Sequence, residues 1–410
     1  MSLTILANAN LFDGTGAEIR EAAHVLIDGE RIKEVSDKPL KAANARRIDL
    51  GGRTLMPGLI DAHFHAIAAD SNIAKLETMP RSLVAQYSRR FLEAALQRGF
   101  TTVRDAAGAD YGLAQALKLG LIDGPRLFYS GKALTQTGGH GDARPYEQVM
   151  GCLCCVGAAT LSQVADGVPE VRRAAREELR KGATQIKIMA SGGVASPSDP
   201  IWNLQYSEEE IRAVVWETQS WRTYVMAHAY TSEAIRRCVD YGVRSIEHAN
   251  LIDAETARFV AERGAYVVPT LVTYDALDKF GRQQGFPDVS MQKLEVVKAA
   301  GLKSLEHLKA AKVKMGFGTD LLAEMHEHQS REFSIRAEVL KPAEILLSAT
   351  SVNAELIQMK GELGVVTPGA LADLIAVDGD PLKKMALLEG QGRHLPLIMK
   401  GGKLYKNALA

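Results

Sequence analysis

The chain is short of everything that would serve as a staple, an anchor or a charge handle. Its 410 residues include only four cysteines, too few for a disulfide framework. Three of them cluster at Cys152, Cys154 and Cys155. No second pair completes a zinc ribbon, so they read as reduced thiols near a loop. No apolar run approaches the ~20 residues that cross a bilayer, so no membrane partner is expected. Met1 to Gly16 lacks a basic segment followed by an apolar core, so no signal peptide is expected and a cytoplasmic location is the default. Neither sign of charge is in excess. Lys+Arg and Asp+Glu number 49 each, which removes the electrostatic footprint of a nucleic-acid binder. Nothing in this composition opposes a homo-oligomer.

What is present is ordinary globular material, 46% apolar and 24% charged, in a chain long enough for one large barrel plus a smaller unit. Residues 3–57 read as β-structure. His24-Val25-Leu26-Ile27 and Arg31-Ile32-Lys33-Glu34-Val35 flank Asp28-Gly29, a strong hairpin signal. Arg46 to Leu50 is a third strand candidate before a Gly51-Gly52 turn. The far end repeats the style at 372–377 and 395–400. Both ends are therefore expected to build one small β-sandwich domain, 1–57 plus 360–410.

Residues 58–359 have another rhythm, with short apolar strands alternating with amphipathic helices. Eight strands are predicted, at 58–65, 100–105, 126–129, 185–189, 224–228, 244–248, 265–269 and 314–319. Between them, Ser207 and Glu210 form a capping box, Gly182 sits where a helix-ending glycine belongs, and Pro342 suits a first helical turn. Eight βα units in this span predict an α/β fold of the (β/α)8 TIM-barrel type. An open doubly wound sheet is the alternative, but no Gly-x-Gly-x-x-Gly or Walker sequence supports it. Two long connections, 131–169 and 274–290, would lie on the active face.

The polar residues at predicted strand ends carry the chemistry. His63 and His65, at i and i+2, point the same way from one strand. Lys187 lies on the fourth strand, His228 and His248 end the fifth and sixth, and Asp320 follows the eighth. In a barrel these ends share one rim. Alone, each is more often a satisfied polar residue than a ligand. Together, four of ten histidines sit at three strand ends with an aspartate at a fourth. Lys187 stands between Ile186 and Ile188 in a strand that should be buried on both faces. A buried ammonium needs a partner, such as Glu247, or a depressed pKa. A neutral amine can add carbon dioxide and become a carbamate, with two oxygens able to bridge divalent metals.

This set, with Thr101 to Asp105, Thr137-Gly138-Gly139-His140-Gly141, Lys187 to Gly193 and His228-Ala229-Tyr230, resembles the binuclear metal-dependent amidohydrolase superfamily over essentially the whole chain. It is most similar to the branch of imidazolonepropionase-like proteins and prolidase-type dipeptidases. The resemblance implies one metal, zinc by preference, held by His63, His65 and Asp320, and a second held by His228 and His248. Carbamylated Lys187 and a hydroxide would bridge them. It further implies hydrolysis of a C–N bond in a small peptide-like substrate, with Asp320 moving the proton and His140 and Tyr230 contacting substrate and its oxyanion. The expected activity is that of a dipeptidase acting on Xaa-Pro or related dipeptides. Ring opening of a cyclic amide is the alternative enzyme, and a non-catalytic binding protein on the same fold is the alternative class.

Overall fold

The computed structural model describes residues 3–142, 144, 161–196 and 198–409. The cluster of Cys152, Cys154 and Cys155 lies outside them. In chain order the strands are β1 (Leu3–Leu11), β2 (Arg20–Asp28), β3 (Arg31–Ser36), β4 (Arg46–Asp49) and β5 (Thr54–Pro57). Next come β6 (Leu59–Phe64), β7 (Phe100–Asp105), β8 (Arg126–Tyr129), β9 (Ala133–Thr135), β10 (Ser162–Val164), β11 (Ile186–Met189), β12 (Val225–Thr231), β13 (Ser245–Leu251), β14 (Tyr266–Val268) and β15 (Lys314–Met315). The last are β16 (Leu374–Val377), β17 (Leu397–Lys400) and β18 (Lys403–Asn407).

Both chain ends build one eight-stranded sheet, ordered β18-β17-β16-β5-β1-β2-β3, with β4 also on β1. The hairpin forms between β2 and β3, but its ladder includes Asp28 opposite Arg31. The two turn residues are therefore Gly29 and Glu30, and Gly29 takes the left-handed φ of +60° that the turn requires. The sheet's apolar residues form their own cluster, in which Leu6, Leu11, Val25, Ile27 and Leu55 pack with Ala376, Leu397 and Met399.

Between the ends, all eight predicted strands form, in an alternating mixed α/β pattern. The strands β6, β7 and β8 make one parallel sheet. The other runs β10-β9-β11-β12-β13-β14-β15, also parallel. The sequence reading missed β9 and β10, which are three residues each and lie inside the long connection after β8. Gly131, at φ +68°, separates β8 from β9, so one stretch of chain serves both sheets. Its Tyr129 carbonyl accepts the Thr184 amide at 2.8 Å, and Leu134 pairs with Ile188. At the other side the ladder at Lys314 is only two residues long, shorter than predicted. The following residues bond both ways: Gly316 N–H to Val267 O at 2.8 Å, Ala62 N–H to Phe317 O at 2.8 Å, and Asp320 N–H to His63 O at 2.8 Å. Asn353 stitches this junction, donating to Ile60 O at 2.7 Å and Phe317 O at 2.8 Å. Gly318 permits the approach, since a Cβ there would sit 2.5 Å from Val268 Cγ1 and 2.8 Å from His63 Cβ.

The helices follow local chemistry. Ser207 and Glu210 close the predicted capping box on the helix Glu208–Ser220. The helix Gly167–Arg180 ends before Gly182 at φ +90°. The predicted long connection at 274–290 is mostly helical instead. The helix Leu271–Phe280 starts directly after β14 and buries Leu271, Val272, Tyr274, Ala276 and Leu277, and another runs Asp288–Ala310. Among the described residues no helix is long and apolar enough to cross a membrane.

Candidate functional site

Parallel strands that start together end together, and here their ends surround one cavity. His63, His65, His140, Lys187, His228, Tyr230, His248 and Asp320 all line it. The six predicted ligands and both predicted substrate contacts therefore meet, although they come from positions 63 to 320 of the chain.

The His63 and His65 rings lie 5.3 Å apart, and His63 and His248 5.0 Å apart. The donor atoms of His63, His65 and Asp320 all fall within 4.8 Å of one another. The Asp320 carboxylate lies 2.9 Å from His65 Nε2 and 3.3 Å from His63 Nε2. Burial opposes ionisation of Asp320, but the charge of His63 and the hydrogen bond with His65 outweigh it and hold the carboxyl well below its usual range.

The second group is His228 and His248, whose rings meet edge to face at 4.6 Å. Burial lowers both far below the ordinary imidazole range, reinforced at His228 by His140 and His248. Neutral imidazole is the form that metals take. Strict alternation along β13 would turn Glu247 and His248 to opposite faces. Instead, His248 adopts φ +76° and Ala249 φ +56°, next to a register shift after Ala229. This strained turn brings His248 to the cavity as well. Asp320 is left-handed too, at φ +55°.

Lys187 is 2% exposed. The salt bridge to Glu247 considered from sequence does not form, and among the described residues Lys187 has no ion pair. Desolvation lowers its pKa to about 8, with Glu247 and Asp320 opposing. Glu247 instead receives His63 Nδ1 at 2.7 Å and Arg104 Nη2 at 2.9 Å. Burial works against its ionisation, yet Arg104 and then His63 bring its pKa down to about 2.

These contacts leave a specific set of ring nitrogens free. His63 Nδ1 is taken by Glu247, and His248 Nδ1 by the Thr270 hydroxyl at 2.8 Å. His228 Nε2 bonds the Gly192 carbonyl at 3.2 Å. His63 Nε2 and His65 Nδ1 are buried without any hydrogen-bond partner. Orphaned imidazole nitrogens beside a carboxylate fit divalent metal ions, because burying them unpaired is otherwise costly.

His140 lies between β9 and β10, its ring stacked on His228 at 4.3 Å and 25°. Its Nδ1 bonds Ser196 Oγ at 2.7 Å, and its backbone N–H donates to Gln205 Oε1 at 2.8 Å. Ser196 in turn donates to Asp199. Tyr230, on β12, accepts a hydrogen bond from Tyr274 at 3.1 Å, and burial raises both phenol pKa values, so the phenols stay protonated. Tyr274, Asp199 and Ser196 had no assigned place in the site from sequence, and Tyr274 fell in a stretch read as a long connection. Arg144 and Arg331 are paired with Asp142 and Asp275.

A sequence model of the amidohydrolase family matches residues 54–404. Ochratoxinase from Aspergillus niger is 33% identical over 421 residues, spanning 98% of this chain and 87% of its own. A crystal structure of a prolidase complexed with N-methylphosphonate-L-proline superposes with a TM-score of 0.97 at 53% identity, over 99% of this chain and 100% of the other. A Xaa-Pro dipeptidase with methionine bound in its active site superposes at 0.88 with 29% identity, over 99% and 100%.

Proposed function

The chain belongs to the amidohydrolase family, and from that premise we propose that it is a zinc-dependent dipeptidase cleaving Xaa-Pro or related dipeptides. The observation that carries this reading is the convergence of His63, His65, His228, His248, Asp320 and an unpaired, buried Lys187 on one cavity. The likeness to prolidase and Xaa-Pro dipeptidase structures supports the substrate class. The scaffold we propose is a closed (β/α)8 barrel over 58–359 beside a small, sandwich-like β-domain from 1–57 and 360–410. The hydrogen bonds that join both edges of the two parallel sheets support closure.

In this reading His63, His65 and Asp320 would hold one divalent ion and His228 and His248 a second. The neutral amine of Lys187 would add carbon dioxide, forming an N–C bond and releasing a proton, and the resulting carbamate would offer its oxygens as further ligands. Such ions would supply Lewis acidity toward the amide carbonyl and bring the pKa of water in the site toward neutrality. Asp320 takes the proton as water adds to the carbonyl carbon. It returns the proton to the departing nitrogen as the C–N bond breaks. His140 donates toward the oxygen that gains negative charge. Tyr230 assists, because the hydrogen bond it accepts from Tyr274 leaves its own proton available for donation.

The test is a panel of Xaa-Pro, Xaa-Arg and Xaa-hydrophobic dipeptides run beside imidazolonepropionate. Turnover of Xaa-Pro is expected. Failure to cleave any dipeptide overturns the assignment.

A further inference from the structure

Arg104 and Arg336 are the largest completely buried side chains among the described residues. Arg104 projects from β7, and the metal reading gives it no role. Its Nε donates to the Ala62 carbonyl at 2.6 Å, on the residue just before His63. Its Nη2 reaches both Glu247 oxygens, at 2.9 and 3.1 Å, and Nη1 reaches Ser245 Oγ at 3.2 Å and Tyr224 Oη at 3.5 Å. Ser245 donates onward to Glu247 Oε1 at 2.5 Å. With one oxygen anchored by Arg104 and Ser245, Glu247 directs the other at His63 Nδ1, 2.7 Å away. A carboxylate only accepts, so that nitrogen must carry the hydrogen. His63 Nε2 is then the lone-pair nitrogen, and it is the buried atom left without a partner.

We propose that Arg104 and Glu247 are positioning residues that fix the tautomer and direction of His63, making it a metal ligand before any ion arrives. The inference rests on the metal-dependent reading and extends it to two residues that do not touch the ion. Arg104 holds two things at once: the backbone that carries His63, through Ala62, and the carboxylate that orients its ring. Lysine would not do both, because a single ammonium lacks the planar fork. The charge balance is internal, one guanidinium against one carboxylate, so the pair can sit under the site without adding net charge to it.

Two charge-neutral double variants separate the acceptor from the ion pair. R104M with Glu247→Leu leaves His63 Nδ1 without an acceptor. R104M with Glu247→Gln keeps an amide oxygen there. Zinc affinity is measured by chelator competition, with folding followed by circular dichroism. The leucine variant should bind about 10–100-fold more weakly than wild type, and the glutamine variant should recover most of that loss. Equal affinities in the two variants overturn the proposal. Histidine NMR on isotope-labelled wild type, before and after zinc loading, gives a readout that needs neither double variant. The His63 signal, assigned by its loss in His63→Asn, should carry its proton on Nδ1, and a proton on Nε2 overturns the proposal. A wild-type chain that takes up no zinc fails the metal-dependent reading itself. Normal zinc uptake with the wrong tautomer fails only this inference.

Discussion

Gly193→Ala should disable the enzyme while leaving its fold and metals alone. Gly193 is not among the left-handed glycines, so alanine meets no backbone penalty there. A Cβ at this position would lie 2.0, 2.3 and 2.4 Å from Cε1, Nδ1 and Nε2 of His140. Ordinary contact between such atoms starts near 3.4 Å, so the ring must retreat by about 1.4 Å. It has little room to slide, because the His228 ring is stacked 4.3 Å away. The imidazole must rotate out instead and give up the 2.7 Å contact with Ser196. A misplacement of about 1 Å can cost 10²-fold, and losing one oxyanion donor costs about 10²–10³-fold in kcat. The prediction is therefore a fall of about 10²–10³-fold in kcat on a cleaved dipeptide, with little change in KM or bound zinc. His140→Ala should produce a similar loss, and the double variant should be no worse than either single one, since the added methyl then has nothing to displace. Near-normal kcat in Gly193→Ala, or losses that simply multiply in the double variant, would refute the reasoning.

Other perturbations probe different parts of the site. Asp320→Asn should retain the fold by circular dichroism and lose turnover by about 10²–10⁴-fold; full activity would remove Asp320 from proton transfer. Chelation should abolish hydrolysis and lower Tm, with zinc and bicarbonate restoring both; fewer than about one metal per chain after such loading would sink the two-metal reading. The Glu355 carboxyl is brought down to about 2 by Lys314 first and then Tyr266. A folded pKa below the unfolded value of about 4.3 stabilises the protein above that pH, and the effect fades as pH falls toward 2. Glu355→Gln should therefore cost at most about 1 kcal/mol at pH 7, because the side chain is partly exposed, and nothing near pH 2. A gap that persists in acid would contradict this.

Much of the site was legible because metal chemistry uses few residue types and parallel strands present them at one rim. His63-x-His65, His228, His248 and Asp320 needed only strand periodicity and an order of elements. Lys187 stood out as a charge between two isoleucines. What stayed hidden depended on contacts across the chain. Glu247 was weighed only as a possible counter-charge for Lys187, and a sequence cannot say that Arg104, 143 positions earlier, reaches it. His248 lines the cavity although strand alternation would send it away from Glu247; its left-handed φ reconciles the two. The strands β9 and β10 were missed because three residues carry no periodicity. The helix Leu271–Phe280 overlaps the stretch 274–290 that was read as a connection, because its apolar residues follow the predicted strand 265–269 without an obvious cap.

The sheet shared by both chain ends also sets a schedule for biosynthesis. Thr54 finds its ladder partner in Val377 and Pro57 finds Leu374, about 320 positions later. At roughly 5–20 residues per second a ribosome takes about 15–60 s to cover that distance. Through that interval one edge of β5 waits unpaired, while the strands bearing the proposed metal ligands emerge behind it. The waiting edge is only four residues long and ends in a proline, two features that discourage it from pairing with another nascent chain. The last strands described thus complete the sheet that the first strands begin, and a chain released before them would leave that edge open.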